Sequence, residues 1–255
     1  MNRQAQAVVL LLLGGSVLKA SLSDLYLRYV KEGLRPFLIA AGVMLVAAAV
    51  ATLWFEVRRP VAGHDEHDHD EHDHDEHGHD EHGHDEHGHH EPRVGWFLLL
   101  PVLGLLLVAP PALGSYAASQ SGTALGNAQT SDFPPLPAGD PARISVLDYA
   151  SRAVFDRGLS IGDRRVELTG FLMAGPEGEQ YLGRMILSCC AADARPIKVG
   201  LTGAAPSGLA PDTWVEVVGR YNERTATDTV NGETIPYLEV AEWREIPVPK
   251  QQYEG

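Results

Sequence analysis

Outside one short stretch this chain contains no histidine: all 12 lie between His64 and His90. That excludes a Ser-His-Asp or Cys-His arrangement within the C-terminal half. Cysteine is nearly as scarce, with two adjacent residues, Cys189 and Cys190. A disulfide framework needs separated pairs, so this is not a disulfide-stapled secreted domain. There is no glycine-rich nucleotide-binding loop and no HExxH segment. No basic cluster follows a nucleic-acid pattern, so no nucleic-acid partner is expected. Carboxylate-only chemistry is the one enzymatic class that these absences leave, and no residue pattern points to it. The chain is expected not to be an enzyme.

Acidity is also missing from most of the chain, despite a formal net charge of -14 over 255 residues. Thirteen of the 34 carboxylates lie between Asp65 and Glu91, with no Lys or Arg among them. Elsewhere 21 acidic residues face 20 basic ones, so the charge belongs to one segment.

Three apolar runs are present. Phe37–Phe55 and Gly95–Gly114 are uncharged over 19 and 20 residues, about what a hydrocarbon core of roughly 30 Å requires. Trp54 and Trp96 sit at their ends, where interfacial aromatics belong. Pro110-Pro111 is expected to end the second of these runs. The first run, Ala5–Leu18, has 14 residues and reads either as a signal-peptide core or as a retained helix that extends past a snorkelling Lys19. The retained helix is the expectation, because Leu18-Lys19-Ala20-Ser21 makes a poor cleavage site. Three spans result, at about 5–25, 36–56 and 94–114. Arg3, Arg58, Arg59 and Arg93 would lie on one side, and Lys19, Arg28, Lys31 and Arg35 on the other, so positive charge does not orient them. The expected location is the cell membrane, multi-pass.

Between the second and third runs, residues 61–93 hold five copies of a pentapeptide, HDEHD twice and HDEHG three times, followed by His89-His90-Glu91. The repeat, residues 64–88, offers nothing apolar to bury, and 61–93 is expected to be a disordered loop. Its histidines are His64, His67, His69, His72, His74, His77, His79, His82, His84, His87, His89 and His90. Imidazole and carboxylate together suit zinc, with nickel and copper as alternatives. Many registers can surround one ion, so several overlapping, loosely held sites are expected. The plain alternative is a solvated spacer.

Residues 115–142 are rich in Ala, Ser, Gly and Pro and read as a linker. An extracytoplasmic tether is expected, which would place the C-terminal domain outside. Residues 143–255 begin with a helix capped by Ser145, with Asp148 as a capping-box partner, Ile144 and Tyr149 as a staple, and Gly158 as the stop. Five strands follow: Arg165–Leu172, Tyr181–Leu187, Arg195–Leu201, Thr213–Tyr221 and Ile235–Trp243, with a turn at Asn231-Gly232. An OB-like closed barrel is the expected fold, and a small sandwich is the alternative. The class is therefore membrane α plus β.

One place here has candidate site chemistry, Leu187-Ser188-Cys189-Cys190-Ala191-Ala192-Asp193. Cys190 and Asp193, three residues apart across a turn, offer a thiolate and a carboxylate to one metal. In a strand, Cys189 and Cys190 would point to opposite faces. Both would then serve one ion, or pair, only if the backbone turned. The plain alternative is a cysteine packed as a small hydrophobe.

The tract, RVELTGFL, RMILSCCAADARPIKVGL, WVEVVGRY and IPYLEVAEW together resemble the YcgQ-like family of permease subunits. The family shows a Cys-x-x-Asp after the second strand, and the resemblance implies that Cys190 and Asp193 form a site. It also implies a partner, a polytopic permease of the YcgR type handling divalent metals. The first functional expectation is thus an accessory subunit for zinc handling. The others are a membrane-anchored OB-like ligand-binding module, and an envelope-stress or assembly protein whose tract is a spacer. A peptide of residues 61–93 is expected to bind several zinc ions near pH 7.5, with roughly micromolar strength, because each site must order a flexible chain. Calorimetry checks this, and binding should collapse near about pH 5.5 as the imidazoles protonate.

Overall fold

The structure, a computed structural model, describes residues 3–58, 104, 111–125 and 132–254. The whole histidine tract, His64–His90, and nearly all of the third apolar run lie outside these residues. Contacts divide the chain into two compact units. One is Met1–Lys19 with Ile39–Ala109; the other is Ala20–Leu38 with Pro110–Gly255.

The described part of the first unit is built on helices α1 (Arg3–Leu22) and α2 (Arg35–Val57). Two glycines set their approach. A Cβ at Gly14 would meet the Val46 side chain at 2.9 Å, and one at Gly42 would meet Leu18 at 2.8 Å. Small residues of this kind let helix backbones pack closely without relying on water to drive them together. Arg58 lies over the Trp54 ring at 3.9 Å, at the end of α2. Among the described residues one helix, Glu32–Phe55, is long and apolar enough to cross a membrane. Its large apolar side chains are turned outward, with Phe37 70% and Met44 69% exposed. Gln6–Leu22 is apolar but shorter.

The second unit holds a small barrel. Its strands are β1 (Ala142–Arg143), β2 (Val166–Ala174), β3 (Gln180–Ile186), β4 (Arg195–Gly203), β5 (Trp214–Thr227), β6 (Thr234–Glu245) and β7 (Tyr253–Glu254). The five long strands run in the order β2-β5-β6-β4-β3, and β3 pairs back onto β2 to close the sheet. The β4–β6 pair is parallel and the other four pairs in the ring are antiparallel. This is the five-stranded Greek-key order of an OB-type barrel. Leu168, Leu172, Leu182, Ile197, Val199, Val215, Val217 and Leu238 fill its core, and all are fully buried. A second cluster joins Phe171, Met173, Tyr181, Met185, Trp214 and Tyr237.

Two helices flank the barrel, α3 (Ser115–Gln120) and α4 (Val146–Phe155). As expected, Ser145 caps α4 and accepts from the Asp148 N–H at 2.9 Å. The Asp148 carboxylate, however, turns to Arg152 at 2.9 Å rather than back to the cap. The helix N-terminus draws instead on Glu254, which accepts from the Val146 and Leu147 N–H groups at 3.1 Å each. Gly158 follows the helix at φ +73, with the Tyr221 ring where a Cβ would sit. Tyr149, on the buried face of α4, donates its hydroxyl to the Tyr237 carbonyl.

Three expectations need correction. Strand β5 runs six residues past Tyr221 to Thr227, because the polar residues after Asn222 still ladder against Thr234–Pro236 of β6. The third span, placed to residue 114, is too long at its end: residues 111–114 are not helical, in keeping with Pro110-Pro111 as its stop. The described parts of the 115–142 stretch are not a free tether. Ala118 is fully buried, and Leu125 and Leu136 join the core. Thr123 donates its N–H to Asp228 at 2.8 Å and accepts from the Lys198 N–H, while Ala124 donates to the Pro196 carbonyl. Composition suggested a tether, but backbone groups that find partners and apolar side chains that find a core do not stay free.

The anchor of that strap is a buried ion pair, Lys198 to Asp228 at 2.9 Å, with both side chains at least 94% buried. Burial pushes the Asp228 carboxyl up, but the Lys198 ammonium and the Val230 and Thr123 N–H groups outweigh it and leave it below its ordinary value. A carboxyl lowered on folding stabilises above its unfolded pKa, and that contribution is lost as pH falls through the folded value. Lys198→Met should cost about 3–5 kcal/mol at neutral pH, by leaving a buried carboxylate without its cation. Asp228→Asn should flatten the acid limb of stability below about pH 4. Thermal melts across pH check both; an unchanged acid limb in Asp228→Asn would show that another group titrates.

Candidate metal centre

The connection from β3 to β4 carries the site. Leu187 is buried and donates its N–H to the Glu254 carbonyl at 2.9 Å, which pins the exit from β3. The chain then turns. The N–H groups of Ser188, Cys189 and Cys190 converge on the Asp193 carboxylate at 3.1, 2.8 and 3.4 Å. Cys190 caps a single 3-10 turn, Ala191–Asp193, in extended conformation, and the small Ala191 and Ala192 let the aspartate reach back. This is the local competition that Asp side chains set up against ladder hydrogen bonding.

The turn brings three donors together. The Cys189 and Cys190 sulfurs and a carboxylate oxygen of Asp193 all lie within 4.8 Å of one another. Both cysteines are free thiols; Cys189 is exposed, and Cys190 and Asp193 are half-buried. Cys190 and Asp193, singled out from the sequence, are thus placed side by side. Cys189 joins them: neither cysteine sits in a named strand, so pleat alternation does not apply, and the backbone turn is the condition under which both could serve one ion. The signal for this was the Asp three residues beyond Cys190 with only alanines between. The twelve tract histidines, His64 to His90, lie outside the described residues.

The same loop is seated on the segment that joins α1 to α2. Val30 and Cys190 form an antiparallel bridge. The Lys31 N–H donates to the Cys189 carbonyl at 3.1 Å, and the Ala191 N–H donates to the Tyr29 carbonyl at 2.7 Å. The Tyr253 hydroxyl reinforces this by donating to the Arg28 carbonyl while accepting from the Leu113 N–H. A cavity of about 360 Å³ lies alongside, lined by Leu27, Val30, Lys31, Leu187 and Gln251 among others.

Electrostatics follow from this packing. The Cys189 S–H and the three backbone N–H groups hold the Asp193 carboxyl below its ordinary range, against a smaller push from burial. In return, Asp193 and then Cys190 push the Cys189 thiol up to about 11. At neutral pH the proton stays on Cys189. A cation with affinity for sulfur must displace it, so binding releases protons. Two sulfurs and a carboxylate are a donor set that fits zinc, and soft thiolate favours it over magnesium or calcium.

Residues 160–254 match the model of the DUF1980 C-terminal domain, which covers the five long strands and the cysteine loop. The match takes in less than half of the chain and fits the YcgQ-like resemblance only loosely. No curated protein matches the chain. Asp193→Asn should return the Cys189 thiol from about 11 toward the ordinary value near 8.5, since the charge that holds its proton is gone. The pH profile of thiol alkylation reads this; an unmoved midpoint would mean that Asp193 does not govern Cys189.

Proposed function

We propose that this chain is a membrane-anchored accessory subunit for handling divalent metal, with zinc as its ion. The observation that carries the reading is the gathering of Cys189, Cys190 and Asp193 within 4.8 Å, on a loop bonded to the segment that leads into the apolar helix α2. A site held by the segment that precedes such a helix in sequence suits an ion delivered to or taken from a membrane transport path. Few ionisable residues fall within the apolar runs, which makes them a poor ion path alone and favours a polytopic permease of the YcgR type as partner. The histidine tract would gather or buffer the same ion at lower affinity.

The topology of this reading has three spans. The α1–α2 connection and the barrel belong to one compact unit, and this reading puts both on one face of the membrane. If α2 crosses, the chain must cross once more between Val57 and Pro111, and the Gly95–Gly114 run is the segment suited to it. The tract then faces the opposite side. Packing of the supposed tether removes the composition argument for an extracytoplasmic barrel. Reporter fusions after Glu91 and at the C-terminus should give opposite signals.

Function is tested on the thiols. The purified full chain titrated with Cd(II) should show sulfur-to-metal charge-transfer absorption, to which the sulfur-free tract cannot contribute. Cys189→Ser and Cys190→Ser should each weaken binding at least tenfold, about 1.4 kcal/mol, with melting unchanged within a few degrees. The same variants should fail to support host growth in limiting or excess zinc. A buried structural cysteine behaves differently: its loss lowers melting without a specific metal defect.

A further inference from the structure

We propose that the Cys189–Cys190–Asp193 centre is an exchange site, which anchors its cation through three protein donors and keeps a fourth position open toward solvent on the Cys189 side. This rests on the metal reading above and deepens it. Structural zinc sites close their tetrahedron with four protein ligands, whereas sites that act on or pass on a ligand keep one position free. Here the group contains three donors, and among the described residues no fourth cysteine, histidine or carboxylate joins it.

Both cysteine carbonyls are already engaged by N–H groups. The Cys189 carbonyl is engaged by the Lys31 N–H, and the Cys190 carbonyl by the Asp193 N–H at 3.0 Å. The back of the loop is covered by the Tyr29–Lys31 segment through the Val30–Cys190 bridge. What remains uncovered is the side of Cys189, the exposed member of the three. Nor does the donor set need a fourth ligand to form, since three N–H groups already hold the Asp193 carboxylate in place. Such a centre binds without burying its ion, and an incoming donor can reach the metal before any protein ligand leaves.

Transfer then runs by ligand substitution. An incoming imidazole nitrogen or thiolate sulfur forms a bond to the metal as the bond to the fourth-position water breaks. A multidentate acceptor then displaces the Cys189 sulfur, the Asp193 oxygen and the Cys190 sulfur in turn, and each sulfur takes up a proton from solvent, whereas a monodentate imidazole goes no further than the first exchange. No electron changes hands, and the cation leaves with the multidentate acceptor.

The test uses the full chain in detergent, loaded with Co(II), and the Cys189→Ser/Cys190→Ser double variant as its reference. Subtracting the variant removes the tract's contribution, since its histidines are intact in both. The difference spectrum should show a sulfur-to-cobalt band and tetrahedral d–d absorption. Added imidazole should shift the d–d envelope while the sulfur band persists, and the rate of Zn transfer to a chelator should rise in proportion to chelator concentration. A d–d envelope that does not respond to imidazole, with a transfer rate independent of chelator, would mean a closed site and would overturn the proposal. Loss of the sulfur band in step with imidazole addition would also overturn it, as simple competition. Absence of any sulfur band would instead remove the metal reading beneath it.

Discussion

The parallel pairing of β4 with β6 is the constraint on which the barrel depends. An antiparallel meander of β2, β3 and β4 has two free edges, and those edges carry unpaired N–H and C=O groups. Strand β6 satisfies one edge by running beside β4 from Gly200 to Gly203, and β5 satisfies the other through six residues of β2. With the ring closed, every inward side chain faces the same enclosed core, and Val199, Val217 and Leu238 leave solvent altogether. Closure also fixes where the β3–β4 connection emerges, and so where two cysteines and an aspartate are displayed.

The cysteine loop depends in turn on a single side chain acting on backbone. Asp193 collects three N–H groups that a strand would have spent on ladder bonds. That one choice ends β3, turns Cys189 toward Cys190, and adds a carboxylate to the pair. It also sets the electrostatics, because the same carboxylate that would ligate a cation keeps the proton on Cys189 until a cation arrives. Any cation bound there would have to displace that proton. The loop's seat on Tyr29–Lys31 ties it to the connection between α1 and α2.

Much of the barrel was legible. Alternation placed all five long strands, and Asn231-Gly232 marked the β5–β6 turn, where Gly232 takes φ +75. Ser145 and Gly158 bounded α4 as read. Less legible were features that depend on a distant partner. The tail of β5 is too polar to show a strand period, and it is ordered by pairing with β6. Residues 121–125 carry no signal for packing, and their seat exists because Lys198 and Asp228, far apart in sequence, form a buried pair beside Thr123.

Local patterning by itself determined the apolar helices, the strands, the cap of α4 and the pairing of Cys190 with Asp193, because each is written in side-chain period or spacing over a few residues. The tertiary structure alone decided that Cys189 belongs to the same site, that the supposed tether is packed, and that the α1–α2 connection supports the cysteine loop. Each of these turns on backbone hydrogen bonds between segments remote in sequence. Nothing in the polar residues of 23–34 announces that their N–H and C=O groups will be met by the loop at 189–191, since any backbone carries the same donors and acceptors and only the fold chooses which of them meet.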